Sequence, residues 1–343
     1  MSHVSRISLS AAALAASLAS TTSAALSQET LAPKVLVITM FGGEAKPWLE
    51  GRKLDTKVEV PGLSKEYPEV ACDAAGLCVM TTAMGFANAA SSVSAVLQSG
   101  LFDLEQSYFL IAGIAGVDPA DGTLGSAHWA RFAVDAGLRH EIDPRQIPAD
   151  WPDGVVALGA KRPGEKPGWG AGTEIYKLNE QLANKALALT GNVELVDSDE
   201  AKAYRDAYKT APANTAPAVS ICDTLSTDTY WHGSITAKSM GEWVSLLTDG
   251  AGNYCTTQME DNATLTALQR GADAGLLRFD RIALLRTASN FDREPEGMTA
   301  ADSLSAKSGG FGPATANAYR VGSKFADAVI NDWAKWEKGV PTE

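Results

Sequence analysis

The chain has 343 residues, a formal net charge of −12 and 45% hydrophobic residues. Its basic residues are scattered with no Lys/Arg stripe, which argues against nucleic acid and against an anionic membrane surface as partners. Beyond residue 27 no apolar run approaches the ~20 residues of a spanning helix; the longest, Tyr108 to Val117, carries Gly113 and Gly116.

Residues 1–27 have the build of a secretory signal peptide. His3 and Arg6 supply positive charge, Ile7 to Leu26 is rich in Ala, Ser and Leu, and small residues stand at Ser23, Ala24, Ala25 and Ser27. Cleavage is expected near residues 24–28, which would deliver a secreted or periplasmic chain. Ser and Thr interrupt the segment, which disfavours an uncleaved membrane anchor. A lipid anchor would need a cysteine at the cleavage point, and the first cysteine is Cys72. The remainder, roughly 315 residues, is long enough for one large α/β domain or two small ones, and a single domain is expected at 32–340.

Val35 to Met40 is a short, continuous, β-branched run and predicts a fully buried strand. Gly42-Gly43-Glu44 follows as a loop where backbone approaches a ligand closely, with Pro47 near a helix start. Leu77 to Thr82 predicts a second strand and Ala87 to Leu97 a small-residue helix. Ser107 to Ala112 predicts a third strand, ending in the glycine-rich turn Gly113-Ile114-Ala115-Gly116-Val117. Gly125 to Val134 reads as strand. Residues 143–172 carry prolines at 144, 148, 152, 163 and 167 and read as a long loop, of a length that is usually functional or partly disordered. A helix is expected over Lys177 to Leu189, and a strand over Ala218 to Cys222 that runs into the polar stretch Asp223 to Gly233. Leu265, Leu268, Ala272 and Leu276 recur at helical spacing, so Ala263 to Leu277 predicts a helix packed on the sheet. Ile282 to Arg286 predicts the last strand, and Ala314 to Trp336 the last helix.

Alternating strands and helices, with strands that are apolar throughout, specify a three-layer α/β/α fold with a mostly parallel, mixed central sheet. Ligands in such sheets sit beyond the carboxyl ends of the strands. The segments 42–44, 113–118, 226–232, 258–262 and 287–292 all fall at that rim.

The four cysteines are Cys72, Cys78, Cys222 and Cys255. An even number in an oxidising compartment points to two disulfides. Three pairings exist, and local spacing favours Cys72–Cys78 with Cys222–Cys255. Zinc is the alternative, but no C-x2-C pair is present, and nothing gives His128 or His140 metal spacing. No metal and no cofactor are called for.

Met259-Glu260 stands just before a helix-like run. A carboxylate there can accept two charge-assisted hydrogen bonds from a ribose diol, while the thioether packs on the apolar sugar face. The small polar residues Thr287 to Asp292 would read the base edge. The plainer alternative is a helix N-terminal carboxylate, favoured there by the helix dipole.

The runs Cys222 to Gly233, Met259 to Thr264 and Thr287 to Asp292 together resemble the purine nucleoside permease family, and the resemblance extends over about residues 33–340. That family in turn resembles the nucleoside phosphorylase and nucleosidase superfamily, which implies a nucleoside phosphorylase-like fold and a purine-preferring nucleoside ligand. It implies that Glu44 positions water and that Gly113 and Ile114 lie in the turn beside the ribose. Met259 and Glu260 match the ribose-binding pair. The loop holding Asp228, Tyr230 and Trp231 places an aromatic beside the base, worth roughly 1–3 kcal/mol if it stacks. Ser289-Asn290 matches the serine–aspartate pair that contacts the purine, with Asn in place of Asp. An amide donates a hydrogen bond but cannot deliver a proton. Ile111 and Ile114 stand where phosphorylases place an Arg and a Ser for phosphate, and Gly42-Gly43-Glu44-Ala45 replaces an Arg-bearing phosphate loop. Hydrolysis of the N-glycosidic bond is therefore expected over phosphorolysis, with nucleoside uptake through a separate membrane transporter as the alternative role. A homo-oligomer is implied by analogy with the superfamily.

Overall fold

In the computed structural model, which describes residues 30–342, the first apolar run forms strand β1 (Val35–Thr39). Its residues alternate between two cores, as strand geometry requires. Leu36 and Ile38 face one layer, Val35 and Val37 the other. Helix α1 (Gly42–Gly51) follows at once, so Gly42 to Glu44 are its first turn rather than a loop, and Pro47 lies inside it. Antiparallel strands β2 (Thr56–Glu59) and β3 (Glu69–Cys72) extend the sheet edge beside β4 (Leu77–Thr81). Cys72 and Cys78 face each other across β3 and β4 and form the first disulfide. Helix α2 (Phe86–Gln98) leads to β5, which spans Tyr108–Val117.

The glycine-rich stretch is thus strand and not turn. Glycine leaves room for it to run on beside a partner strand whose backbone satisfies it. The strand expected over 125–134 divides into β6 (Ala127–Trp129) and β7 (Phe132–Asp135). Residues 143–172 are not wholly loop: a small hairpin pairs β8 (Arg139–Glu141) with β9 (Val155–Ala157). Strand β10 (Ile175–Lys177) precedes helices α3 (Glu180–Thr190) and α4 (Asp199–Arg205). Strands β11 (Val219–Ile221) and β12 (Asp223–Ser226) follow, then helix α5 (Ser234–Leu247) and strand β13 (Tyr254–Gln258). Cys222 and Cys255 form the second disulfide.

Helix α6 is Asp261–Asp273, and β14 runs Ile282–Phe291, well past the expected end at Arg286. The expected last helix is α8 (Phe311–Asn331) followed by the short α9 (Trp333–Trp336), with α7 (Ala300–Ser305) before them. In α8, Phe325 and Val329 are fully buried, while Tyr319 of α8 and Trp333 of α9 pack at the margin of the same core.

The centre of the sheet is parallel, in the order β4-β1-β5-β14, and the flanks are mixed. One face is covered by α2 and α6, through Val93, Val96, Leu265 and Leu268. The other is covered by α1, α3 and α8, through Trp48, Leu182, Val321 and Phe325. This is the expected three-layer arrangement, and it brings the ends of β1, β5, β13 and β14 together on one rim. Among the described residues no helix is long and apolar enough to cross a membrane. The expected signal peptide lies outside the described residues.

Candidate functional site

The rim holds a cleft of about 210 Å³, open at its mouth, whose lining includes Glu44, Ile114, Tyr230, Met259, Glu260, Ser289 and Asn290. A second cleft beside Trp243, lined by Leu138, Leu158, Trp169 and Leu247, is less suited to recognition. Its one carboxylate, Glu174, is occupied by the backbone N–H groups of Ala171 and Gly172.

Glu44 reaches the cleft floor because α1 begins directly at the end of β1. It is the third residue of the helix and folds back, accepting from the backbone N–H of Met40 at 2.7 Å with Oε2. Its Oε1 accepts from the N–H of Ile114 at 2.7 Å. The side chain is 2% exposed. Burial pushes its pKa up to about 7, against the opposing pull of Arg286 and the two backbone donors. Each carboxylate oxygen keeps a second lone pair for a water. A carboxyl poised near neutrality is what a general base for water needs.

Glu260 stands at the junction of β13 and α6. It is the N-cap residue, yet its side chain makes no capping bond. Gln258 does that work instead: its Oε1 accepts from the N–H groups of Glu260 (2.8 Å) and Asp261 (2.9 Å). The Glu260 carboxylate is thereby released toward the cleft, where Oε1 accepts from Gly85 N–H at 3.2 Å. Gly85 has φ +88°, a conformation that favours glycine. Burial raises the Glu260 pKa, and Arg286 opposes the shift.

Arg286 is the residue that sequence reasoning missed as a site group. Its guanidinium is buried beneath the cleft and binds both carboxylate oxygens of Asp261, with Nε–Oδ2 at 3.1 Å. It donates to Ile114 O at 3.0 Å and lies 3.5 Å from Glu260 Oε2. One cation therefore faces Asp261, Glu260 and Glu44. The available signal was an arginine directly after the apolar run Ile282 to Leu285. A guanidinium in a central strand needs a buried carboxylate partner, and Asp261 is one.

Gly113 lies beneath the cleft and has no room for a side chain. A Cβ there would fall 2.6 Å from Arg286 Nη1 and 2.7 Å from Glu44 Oε1. Asn290 sits over Gly116: its Oδ1 accepts from Ser289 Oγ at 2.8 Å, and its Nδ2 donates to Phe291 O at 3.0 Å. The second N–H of that amide remains for a ligand. Tyr230 is 57% exposed at the mouth. Trp231 is half-buried and lines a side recess with Asn290 and Met259. Asp228 is not on the cleft wall. Its Oδ1 accepts from Phe86 N–H at 2.7 Å, so it caps α2 from a distance and ties the aromatic loop to that helix.

None of the described residues lining the cleft is Lys or Arg, and Arg286 is committed to its carboxylates. A bound phosphate would find no free cation there. The site presents two carboxylates on the floor, a hydrogen-bonding amide at one wall and an aromatic at the mouth. That set suits a neutral polyol carrying a flat ring.

Residues 32–341 match the family model described as purine nucleoside permease. The purine nucleoside permease of Candida albicans (strain SC5314) is 36% identical over 314 residues, covering 90% of this chain and 77% of that protein. A Schizosaccharomyces pombe protein described as a probable purine nucleoside permease is 36% identical over 321 residues, 89% of this chain and 91% of that one. Among solved structures, the 5′-methylthioadenosine/S-adenosylhomocysteine nucleosidase of Neisseria meningitidis superposes with TM-score 0.53 at 15% identity, covering 86% of this chain and 98% of that one. Futalosine hydrolase of Helicobacter pylori gives TM-score 0.51 at 13% identity, with 86% and 98% covered. At such identities the structures show a shared fold. The family match is of another order, and the chain belongs to the purine nucleoside permease family, built on a nucleosidase-like fold.

Proposed function

We propose that the protein binds purine nucleosides and hydrolyses their N-glycosidic bond. The observation that carries this reading is the convergence of Glu44 and Glu260 on one cleft that has no free cation among the described residues. Glu260 accepts from the ribose 2′- and 3′-hydroxyls, and Met259 packs on the sugar face. Tyr230 covers the base at the mouth. Glu44 takes a proton from a water whose oxygen bonds to the anomeric carbon as the bond to the base nitrogen breaks. The bonding pair leaves with the base, and the Asn290 N–H stabilises it there. The proton that completes the free base comes from solvent, because an amide has none to give.

That same amide favours a second reading. With no acid at 290, the protein would bind nucleoside and pass it to a separate membrane transporter, in keeping with the name its relatives carry. The N-terminal segment would place either activity in the periplasm or outside the cell.

Incubation of the mature chain with inosine, adenosine and guanosine, with and without phosphate, separates the readings. Free base released without phosphate supports hydrolysis. Release only with phosphate refutes it, and binding without release leaves the uptake role.

A further inference from the structure

On the far side of the Arg286 strand lies a cluster that the nucleoside site does not use. The imidazole of His128 and the sulfurs of Cys222 and Cys255 are all buried, and a ring nitrogen and the two sulfurs lie within 4.8 Å of one another. The sulfurs are joined as a disulfide. His128 Nδ1 is held by Ser220 Oγ at 2.9 Å. Its Nε2 is buried with no hydrogen-bond partner. A buried nitrogen left unpaired is costly and calls for a reason.

We propose that the Cys222–Cys255 disulfide masks a binding site for a thiophilic d10 cation such as Zn2+, with His128 as the third ligand. The reaction balances simply. A dithiol donates two electrons and two protons, becomes a disulfide itself and leaves Cys222 and Cys255 as thiols. The cation then binds both as thiolates, releasing two protons to solvent, and takes the imidazole lone pair as its third bond.

The surroundings suit this chemistry. Ser220 fixes the imidazole from its other nitrogen, as outer partners of metal-bound histidines do. Asn253 Nδ2 already donates to Cys222 Sγ at 3.7 Å, a contact that would strengthen toward a thiolate. The three ligands come from three separate segments: β6, the β11–β12 junction and β13. A metal there restores the tie between strands that reduction removes. The other disulfide, Cys72–Cys78, belongs to no such group among the described residues, so it serves as an internal control.

The test uses the full mature chain, reduced with dithiothreitol, desalted without air and titrated with zinc against a chromophoric chelator. Far-UV circular dichroism reports folding throughout. The expected result is one zinc per reduced chain and none per oxidised chain. His128→Ala should weaken zinc binding by more than the roughly 10–100-fold that loss of an outer-shell partner costs, and the Cys72→Ser/Cys78→Ser variant should bind as the parent does. Cobalt in place of zinc should show a thiolate charge-transfer band that His128→Ala alters. A folded reduced chain that takes no zinc overturns the proposal, as does zinc binding unchanged in His128→Ala. A reduced chain that unfolds and is not refolded by zinc overturns it equally.

Discussion

Gln258 caps the helix that Glu260 begins. Its Oε1 accepts from the N–H groups of Glu260 and Asp261, at 2.8 and 2.9 Å, and the Glu260 carboxylate makes no capping bond of its own. The same Gln258 oxygen lies 3.3 Å from Arg286 Nη2. One amide thus fixes the helix start and the buried cation, and spares the Glu260 carboxylate beside the cleft from capping the helix.

Gln258→Ala should therefore destabilise the protein without deleting any group proposed to touch substrate. Loss of the cap costs about 1 kcal/mol, and the unpaired donors add roughly 1–2 kcal/mol more. Urea unfolding at pH 7 measures the difference. A variant as stable as the parent would mean that water replaces the cap at no cost.

Glu260→Gln should weaken inosine binding by roughly 10–100-fold, because two charge-assisted bonds to the diol become neutral ones. Calorimetry with inosine and 2′,3′-dideoxyinosine isolates the effect. The parent should distinguish the two ligands, and the variant should distinguish them far less. Equal discrimination in both would place the diol elsewhere.

Arg286→Met should cost about 3–5 kcal/mol, because it leaves the Asp261 carboxylate buried without its cation. Adding Asp261→Asn should recover part of that loss. Additive destabilisation in the double variant would show that the two side chains do not act as a pair.

Gly113→Ala should fold but hydrolyse nucleoside roughly 100-fold more slowly, since the methyl group would displace Glu44 and Arg286. Circular dichroism and base release, measured together, separate a moved catalytic group from a lost fold.

The Glu44 carboxyl is raised from 4.5 to about 7 by burial. Between those values the folded state holds a proton that the unfolded state has released. Its contribution to stability is therefore full below pH 4.5 and is lost as pH rises through 7, by up to about 3 kcal/mol. The stability difference between the parent and Glu44→Gln should shift against the parent over that window. A difference that stays flat with pH would place the Glu44 titration outside it.

The core of the fold was legible because Val35 to Thr39 and Tyr108 to Ala112 are apolar on both faces, which only a sandwiched strand can bury. The disulfide pairing followed from spacing, and the cross-strand Cys72–Cys78 register confirms it. The ends of β5 and β14 were hidden, because Gly113 to Gly116 and Thr287 to Asn290 have the composition of turns. Only the pairing of the two strands shows why they stay extended. Their small polar side chains find partners on neighbouring elements: Thr287 Oγ1 donates to Ala314 O of α8 at 2.9 Å and to Gly113 O of β5 at 3.3 Å, contacts that local sequence cannot reveal. Helix α5 went unassigned although Ala237, Met240, Val244 and Leu247 recur at helical spacing on its buried face. Glu44 was found through the family resemblance, whereas Arg286, which lies against the same carboxylates, needed three-dimensional contacts.

Base release from inosine in phosphate-free buffer, by the mature protein and by Glu44→Gln, tests the central claim most directly. The account predicts hypoxanthine and free ribose from the parent, and a rate roughly 100–10,000-fold lower in the variant, the usual worth of a general base. Parent protein that binds inosine and releases no base would contradict hydrolysis and leave nucleoside delivery as the function of this site.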